Sequence, residues 1–259
     1  MDMELCEILV SVVMPAFNCG KTIGQAVESA LCQNVPLELL IVVDGPSPET
    51  EEALMPWARD GRVRILHNGR NLGAAASRNR GIRAARGKYV AFLDADDIWL
   101  PGKLEKQVRL LEENGAVLCA TARELLRPDG TSNGIVLPAP ARITYRRLLR
   151  HNCIACSSVV VRTEAVRRFP MRSDASHEDY VLWLELLRVY GWACSLPEPM
   201  LRYRTGSSGK SGNKLQSAAM TFRVYRQLGF GGIVASLLFA RYALCGVGKY
   251  TLGYLRRMR

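Results

Sequence analysis

Three carboxylates stand within four positions at Asp94-Ala95-Asp96-Asp97, directly after the apolar run Tyr89 to Leu93. Carboxylates this close repel one another unless a cation joins them. A hard divalent ion such as Mg²⁺ or Mn²⁺ takes oxygen ligands, shares its shell with phosphates and meets that need. The same acids would also suit a helix N-terminus, because Pro101 and a helical pattern from Lys103 follow. A second acidic pair, Glu178-Asp179, follows His177 and precedes the aromatic segment Tyr180-Val-Leu-Trp183. A carboxylate there can act as a general base toward an attacking hydroxyl, or simply favour the positive end of a helix dipole. The basic segment Arg78, Arg80, Arg83 and Arg86 follows Asn71-Leu72-Gly73. Arg78 and Asn79 fall early enough in it to turn toward strand ends, where a guanidinium pairs with a diphosphate or a base carbonyl. Arg83 and Arg86 read as a solvated face.

Positioning such groups requires elements of defined length. Apolar runs recur at Ile8 to Met14, Leu37 to Val43, Val63 to Leu66, Tyr89 to Leu93 and Val117 to Ala120. They are continuous rather than alternating, as in strands covered on both faces of a parallel sheet. Helical spacing fills the intervals at Thr22 to Cys32, Glu49 to Ala58, Ala74 to Ala85 and Lys103 to Glu113. Repeated βαβ units of this kind give an α/β/α sandwich whose ligands gather at the carboxyl ends of the strands. Pro15-Ala16-Phe17-Asn18, Asp44-Gly45-Pro46-Ser47 and Asp94 to Asp97 all fall at such ends and would converge on one rim. Neither GxGxxG after the first strand nor GxxxxGK[ST] is present, so a nucleotide would be held in another way. After about Gly115 the pattern loosens, with a Pro-rich loop at Leu137 to Ala141, a strand at Ser158 to Arg162 and a helix at Tyr180 to Tyr190.

The chain has 259 residues, 35 Lys and Arg against 24 Asp and Glu, and a net charge of +11. Met200 to Arg259 holds 11 of the basic residues and no acid, so the first 199 residues balance at 24 against 24. A neutral body thus carries a basic tail, which begins after a polar loop at Thr205 to Asn213. In the tail, 13 uncharged residues between Gln227 and Arg241 are too few for a spanning helix of about 20. Arg241, Lys249 and Arg256 share one side of a helical wheel, with Ile233, Leu237, Leu238, Leu244, Val247 and Leu252 assigned to the others. That pattern suits a helix lying in an anionic membrane surface, or one packed on the body. The acidic start, Met-Asp-Met-Glu, is unlike a secretory leader and places the body in the cytoplasm. The eight Cys, scattered through apolar segments, read as reduced thiols. Cys153 and Cys156, a CxxC beside His151, lack a second pair for zinc.

In order along the chain, these segments resemble the family 2 inverting glycosyltransferases of the GT-A fold. The matching pieces are Ser11-Val-Val-Met-Pro15-Ala-Phe-Asn18, Ile41-Val-Val-Asp44-Gly-Pro-Ser47, Asn71-Leu-Gly73 through Ser77-Arg-Asn79-Arg-Gly81-Ile, Gly87 through Leu93-Asp94-Ala-Asp96-Asp97-Ile-Trp99, Glu178-Asp179-Tyr-Val-Leu-Trp183, and Tyr203-Arg204. The resemblance implies a GT-A domain over 1–204, with a nucleotide-binding half to about 98 and an acceptor half after it, and a helical basic tail over 205–259. It implies that an acceptor hydroxyl displaces a nucleoside diphosphate from a nucleotide sugar with inversion. Asp44 would bond the base, uracil or thymine, in a pocket lined by Pro15 to Phe17, and Arg78 would touch the nucleotide. Asp94 would face the ribose and metal region, Asp96 would ligate Mn²⁺ or Mg²⁺, and Asp179 would be the base with Glu178 in support. The acceptor would be a saccharide or lipid-linked saccharide for a bacterial surface polysaccharide. The enzyme would be peripheral on the inner face of the cell membrane and would bind no nucleic acid.

The chain departs from the family pattern at three places. Phe17 stands where Tyr is frequent, keeping stacking but not a hydroxyl. Gly45 stands where a second Asp is common. After Arg204 the loop lacks the His often found there, so Arg204 and Lys210 are the candidates to neutralise a diphosphate. A nucleotide-sugar pyrophosphorylase would need a Gly-rich, Arg-containing loop after the first strand, where this chain has Pro15-Ala-Phe-Asn18. A nucleic-acid-binding protein would explain the charge but not the ordered strand-end motifs.

Overall fold

The computed structural model describes residues 7–172, 175–206 and 214–255, without the side chains of residues 214 and 246–255. Ten strands form one sheet: β1 (Val10–Ala16), β2 (Leu37–Asp44), β3 (Val63–Asn68), β4 (Tyr89–Phe92), β5 (Ile98–Trp99), β6 (Leu118–Leu126), β7 (Ser132–Leu137), β8 (Arg142–Thr144), β9 (Val160–Arg162) and β10 (Trp192–Arg204). Their order is β3-β2-β1-β4-β9-β6-β10-β5, with β7 on β6 and β8 on β10. The β1–β2, β2–β3, β1–β4 and β6–β10 ladders are parallel. The short strand β9 runs antiparallel to both β4 and β6, so those two share a direction. Six strands therefore point one way, and β5, β7, β8 and β9 oppose them.

Continuous apolar runs become strands because both faces are covered. All eight residues of β2 are buried. Alternate side chains enter different cores: Val10, Val12 and Met14 pack with Leu39 and Ile41 on one face, while Val13 packs with Leu40, Val90 and Phe92 on the other. The covering helices are α1 (Ile23–Leu31), α2 (Pro48–Leu54), α3 (Ala74–Ala84), α4 (Lys103–Asn114), α5 (Tyr145–Arg150), α6 (Thr163–Arg167) and α7 (Glu178–Tyr190). The segment expected to be one helix from Glu49 to Ala58 is split. The α-helix stops at Leu54 and tightens to a 3₁₀ turn at Met55–Trp57, where Pro56 has no N–H to extend the ladder. Helix α3 lies close against β1 because Gly81 has no side chain: a Cβ there would sit 2.4 Å from Val13 Cγ1.

Two more helices follow, α8 (Lys214–Gln227) and α9 (Gly232–Leu255). Val224 of α8 enters the core beside α7, and Leu228 and Tyr242 pack against it. The segment read as a tail is thus built onto the body over its first helix. Among the described residues no helix is long and apolar enough to cross a membrane.

Candidate active site

Parallel pairing brings the carboxyl ends of β1, β2 and β4 to one rim, with Ala16 in register with Val43 and Val13 with Phe92. Pro15 is half-buried in β1, and Phe17 stands 45 % exposed just beyond it, presenting a ring at the rim. The loop after β1 is fixed from the side. Asn18 N donates to Ser47 Oγ and Cys19 N to Thr50 Oγ1, each at 3.1 Å.

Asp44 ends β2 and is buried, with its carboxylate organising the neighbouring loop. Oδ1 accepts from Asn68 Nδ2 (2.8 Å) and Leu72 N (2.9 Å), and Oδ2 from Gly73 N (2.8 Å). A carboxylate has about four acceptor positions, so one on Oδ2 is left for a ligand donor. The Asn71-Leu72-Gly73 motif thereby gains a physical role, since its N–H groups are what Asp44 holds. Gly45 also has a reason to be glycine. Its φ is +91°, and a Cβ there would meet Asn71 N at 2.6 Å. The second acid common at this position has no room while the loop lies this close.

Arg78 joins the two acidic groups. Its Nη2 donates to Asp94 Oδ1 at 2.5 Å and its Nη1 to Glu178 Oε1 at 2.8 Å. The arginine is nearly buried, with Glu178 as its equally buried partner and Asp94 partly open. As placed, Arg78 faces carboxylates, and through them it connects the end of β4 to the first turn of α7.

The three acids after β4 occupy different environments. Asp94 is held by Arg78, and its N–H donates to Ser157 Oγ (3.1 Å). Asp97 is 1 % exposed, and its Oδ1 accepts from Arg204 N (3.0 Å). Burial, then the neighbouring Asp96 and Asp94, push its carboxyl well above the usual range. Asp96 is the exposed member. Desolvation and the Asp94 charge raise it to about 6, and among the described residues no side chain donates to its carboxylate. Among the described residues no three His, Cys, Asp or Glu side chains converge into a ready-made cage. An open pair of carboxylates at a strand end fits Mg²⁺ or Mn²⁺, which fills its shell with water and substrate phosphates. Arg204 lies beside this pair with its donors on acceptors of the protein: Nε on Asp96 O, Nη1 on Pro128 O, both 3.0 Å, and Nη2 on Gln25 Oε1 at 3.3 Å. Lys210 lies outside the described residues.

Glu178 and Asp179, adjacent in the first turn of α7, differ in their partners. Arg78 neutralises Glu178, while Asp179 is half-buried and accepts from Tyr180 N at 2.8 Å. Desolvation and the Glu178 charge push the Asp179 carboxyl up, opposed by His177 and Arg78. A carboxylate with a raised pKa and no cation of its own is suited to take a proton.

One contributor carried no motif: Ser157 binds the Asp94 backbone from a 3₁₀ turn at Cys156–Ser158. Asn79, expected to turn toward the strand ends, instead clamps the backbone of Met171 in both directions, at 2.7 and 2.9 Å, tying α3 to the segment ahead of α7. Both contacts cross the sequence by more than 60 residues, and no local pattern announces these partners.

These features meet comparable ones in known proteins. The sequence profile of Glycosyl transferase family 2 matches residues 11–170. The provisionally named teichuronic acid biosynthesis glycosyltransferase TuaG of Bacillus subtilis is 33 % identical over 93 % of this chain and 97 % of its own length. The UDP-Glc:α-D-GlcNAc-diphosphoundecaprenol β-1,3-glucosyltransferase WfgD of Escherichia coli is 30 % identical over 96 % of this chain and 97 % of its own. Among solved structures, S. aureus TarS 1–349 in complex with UDP-GlcNAc superposes with a TM-score of 0.71 at 15 % identity, covering 91 % of this chain and 72 % of TarS. The mannosyltransferase PcManGT from Pyrobaculum calidifontis, in complex with GDP-Man and Mn²⁺, gives 0.67 at 17 %, covering 86 % and 64 %. With the GT-A fold, the family's matched span and relatives aligned over nearly the whole length, this chain belongs to glycosyl transferase family 2 and is a glycosyltransferase.

Proposed function

We propose that the protein transfers a sugar from a UDP- or dTDP-linked donor to a hydroxyl of a saccharide or lipid-linked saccharide, with inversion, in the assembly of a surface polysaccharide. The observation that carries this reading is the unequal treatment of Glu178 and Asp179. Arg78 takes Glu178, leaving Asp179 as the base, with its carboxyl raised by desolvation and by its neighbour. The acceptor class draws support from WfgD, whose name specifies a diphosphoundecaprenol-linked sugar.

The chemistry is one displacement. Asp179 accepts the proton of the acceptor hydroxyl as its oxygen bonds to the anomeric carbon from the face opposite the diphosphate. The glycosidic bond to the donor breaks, its electron pair leaves on the diphosphate, and the configuration inverts. Phe17 stacks on the base beside Pro15, and the remaining Oδ2 position of Asp44 meets a base N–H. Asp96 with Asp94 would hold Mn²⁺ or Mg²⁺, which offsets charge on the leaving diphosphate. Arg78 acts from behind, holding Asp94 and Glu178, and its contact with the nucleotide runs through Asp94. Arg204 sets the Asp96 backbone, with Lys210 a further candidate for the diphosphate. The basic tail places the enzyme on the anionic inner face of the membrane, where a lipid-linked acceptor is presented.

Incubation with Mn²⁺ and a panel of nucleotide sugars, with and without diphosphoundecaprenol-linked sugar, tests the reading. Acceptor-dependent nucleoside diphosphate release from a UDP or dTDP sugar is expected. Acceptor-independent formation of nucleoside triphosphate and sugar 1-phosphate when pyrophosphate is added would instead replace this function with a pyrophosphorylase.

A further inference from the structure

Helices α8 and α9 carry different chemistry on their two faces. At about 100° per residue, Ile233, Leu237 and Leu244 of α9 fall within about 40° of one another. They are 81 %, 67 % and 75 % exposed. Arg241 lies about 40° from Leu237, so it borders this stripe rather than standing apart from it as the wheel alone suggested. Leu215 of α8, 84 % exposed, and the exposed Arg226 add to the outer surface. The opposite side of α9 faces the body. Ala235 is fully buried, and the Tyr242 ring lies 5.2 Å from His151 and 6.1 Å from Tyr180.

The inner side of α8 grips the residues that lead into Glu178-Asp179. Arg223 Nη1 donates to Ala175 O (2.9 Å), Ser176 Oγ donates to Gln227 Oε1 (2.9 Å), and His177 Nε2 lies 3.2 Å from Ser217 O. The same Nε2 lies 3.3 Å from Ser217 Oγ, so one serine meets the ring with both a carbonyl and a hydroxyl. Three consecutive residues ahead of the acidic pair are thus fastened to one helix, and Tyr180, just after the pair, touches α9.

We propose that α8 and α9 form an interfacial clamp: the outer stripe docks on an anionic lipid surface, and the inner face, through the Ser217–His177 contact, holds Asp179 in place to meet an acceptor presented at that surface. An anionic membrane is the occupant because Met200 to Arg259 contains 11 basic residues and no acid. Exposed apolar side chains flanked by arginines, on a helix unable to span, match an interfacial helix. His177 is a positioning residue. The groups facing Asp179 are Glu178 and His177 from its own segment, Arg78 from α3 and the Cys156 thiol from the 3₁₀ turn. The His177 ring opposes the rise of the Asp179 carboxyl, so its loss raises the base further.

The clamp rests on Asp179 being the base, and the test separates the two ideas. The full chain is sedimented with phosphatidylglycerol-containing and with pure phosphatidylcholine vesicles. Preference of at least tenfold for the anionic vesicles is expected, lost in Ile233→Glu/Leu237→Glu, which keeps its turnover on a water-soluble acceptor. Equal binding to both vesicles, or a dimer in solution that the double variant dissociates, overturns the lipid assignment. His177→Ala is expected to lower kcat about tenfold with donor KM unchanged and to move the acid limb of kcat upward. His177→Gln, whose amide can donate to Ser217 O, recovers most of it. Gln227→Ala, which removes the Ser176 Oγ–Gln227 Oε1 bond without touching the site, should move kcat the same way by a smaller factor. An unchanged kcat and pH profile in His177→Ala and Gln227→Ala overturns the clamp, while full activity of Asp179→Asn would instead overturn the base.

Discussion

Arg78 and Glu178, 100 residues apart in the chain, are joined by a 2.8 Å ion pair whose arginine also binds Asp94 through its other terminal nitrogen. One guanidinium therefore offsets a charge at the proposed metal end of the site and a charge at the proposed base end. Two predicted groups read separately from sequence are parts of one network.

Removing Arg78 leaves the buried Glu178 and the partly open Asp94 without the cation they share. Arg78→Met is expected to cost about 3–5 kcal/mol of folding stability, the usual range when one member of a buried pair is deleted. Arg78→Lys should recover only part of this, because an ammonium lacks the planar fork that reaches both acids. Urea denaturation midpoints at pH 7 check both values.

Asp179→Asn should lower kcat by roughly 10²–10⁴-fold, the span of general-base catalysis, while UDP affinity measured by calorimetry stays unchanged. In the wild type, activity falls as pH drops through the raised Asp179 pKa, so the acid limb lies above the ordinary carboxylate range. The stability effect has the opposite sign to catalysis. Between the unfolded and the raised folded pKa the native state binds more protons, so stability declines as pH rises through that window. The Asn variant escapes this loss, and its melting temperature at neutral pH should exceed that of the wild type.

Activity should vanish with EDTA and return with Mn²⁺ or Mg²⁺. Asp96→Asn should blunt the return by roughly two orders of magnitude, in keeping with an ion that contributes several kcal/mol to stabilising transition-state charge. Titration of nucleoside diphosphate release against metal concentration gives the comparison. Undiminished turnover in the variant would exclude Asp96 as the ligand.

Lys103 opens α4 fully buried. Its ammonium lies 4.0 Å from the centre of the Trp99 ring, and Nζ has no hydrogen-bond partner among the described residues. Burial lowers its pKa to about 7. Between there and the ordinary lysine value the unfolded chain binds more protons, so stability rises with pH across that window. Lys103→Met should stabilise the protein at pH 7 by about 1–3 kcal/mol, the cost of one unsatisfied buried polar group, and flatten that part of the stability profile. Thermal melts from pH 6 to 10 read both effects.

The sequence by itself determined the elements and the chemical cast. Continuous apolar runs predict β1, β2, β4 and the start of β6, because strands covered on both faces need apolar residues at nearly every position, whereas the edge strand β3 is only half-buried and carries Arg64. Asp44, Asp94 and Asp96 then fall at the rim by topology alone, since parallel strands end together. What only the tertiary structure decided is which charges meet. That Arg78 divides itself between Asp94 and Glu178, that Asp44 holds Leu72 and Gly73, and that Gly45 is crowded by Asn71 depend on approaches between segments far apart in sequence. The tail shows the same division. Its excess of basic residues is plain in composition, but whether Ile233 and Leu237 face outward depends on where Val224, Ala235 and Tyr242 find the body. Periodicity places side chains on faces of their own helix; only the packed fold decides which face is buried.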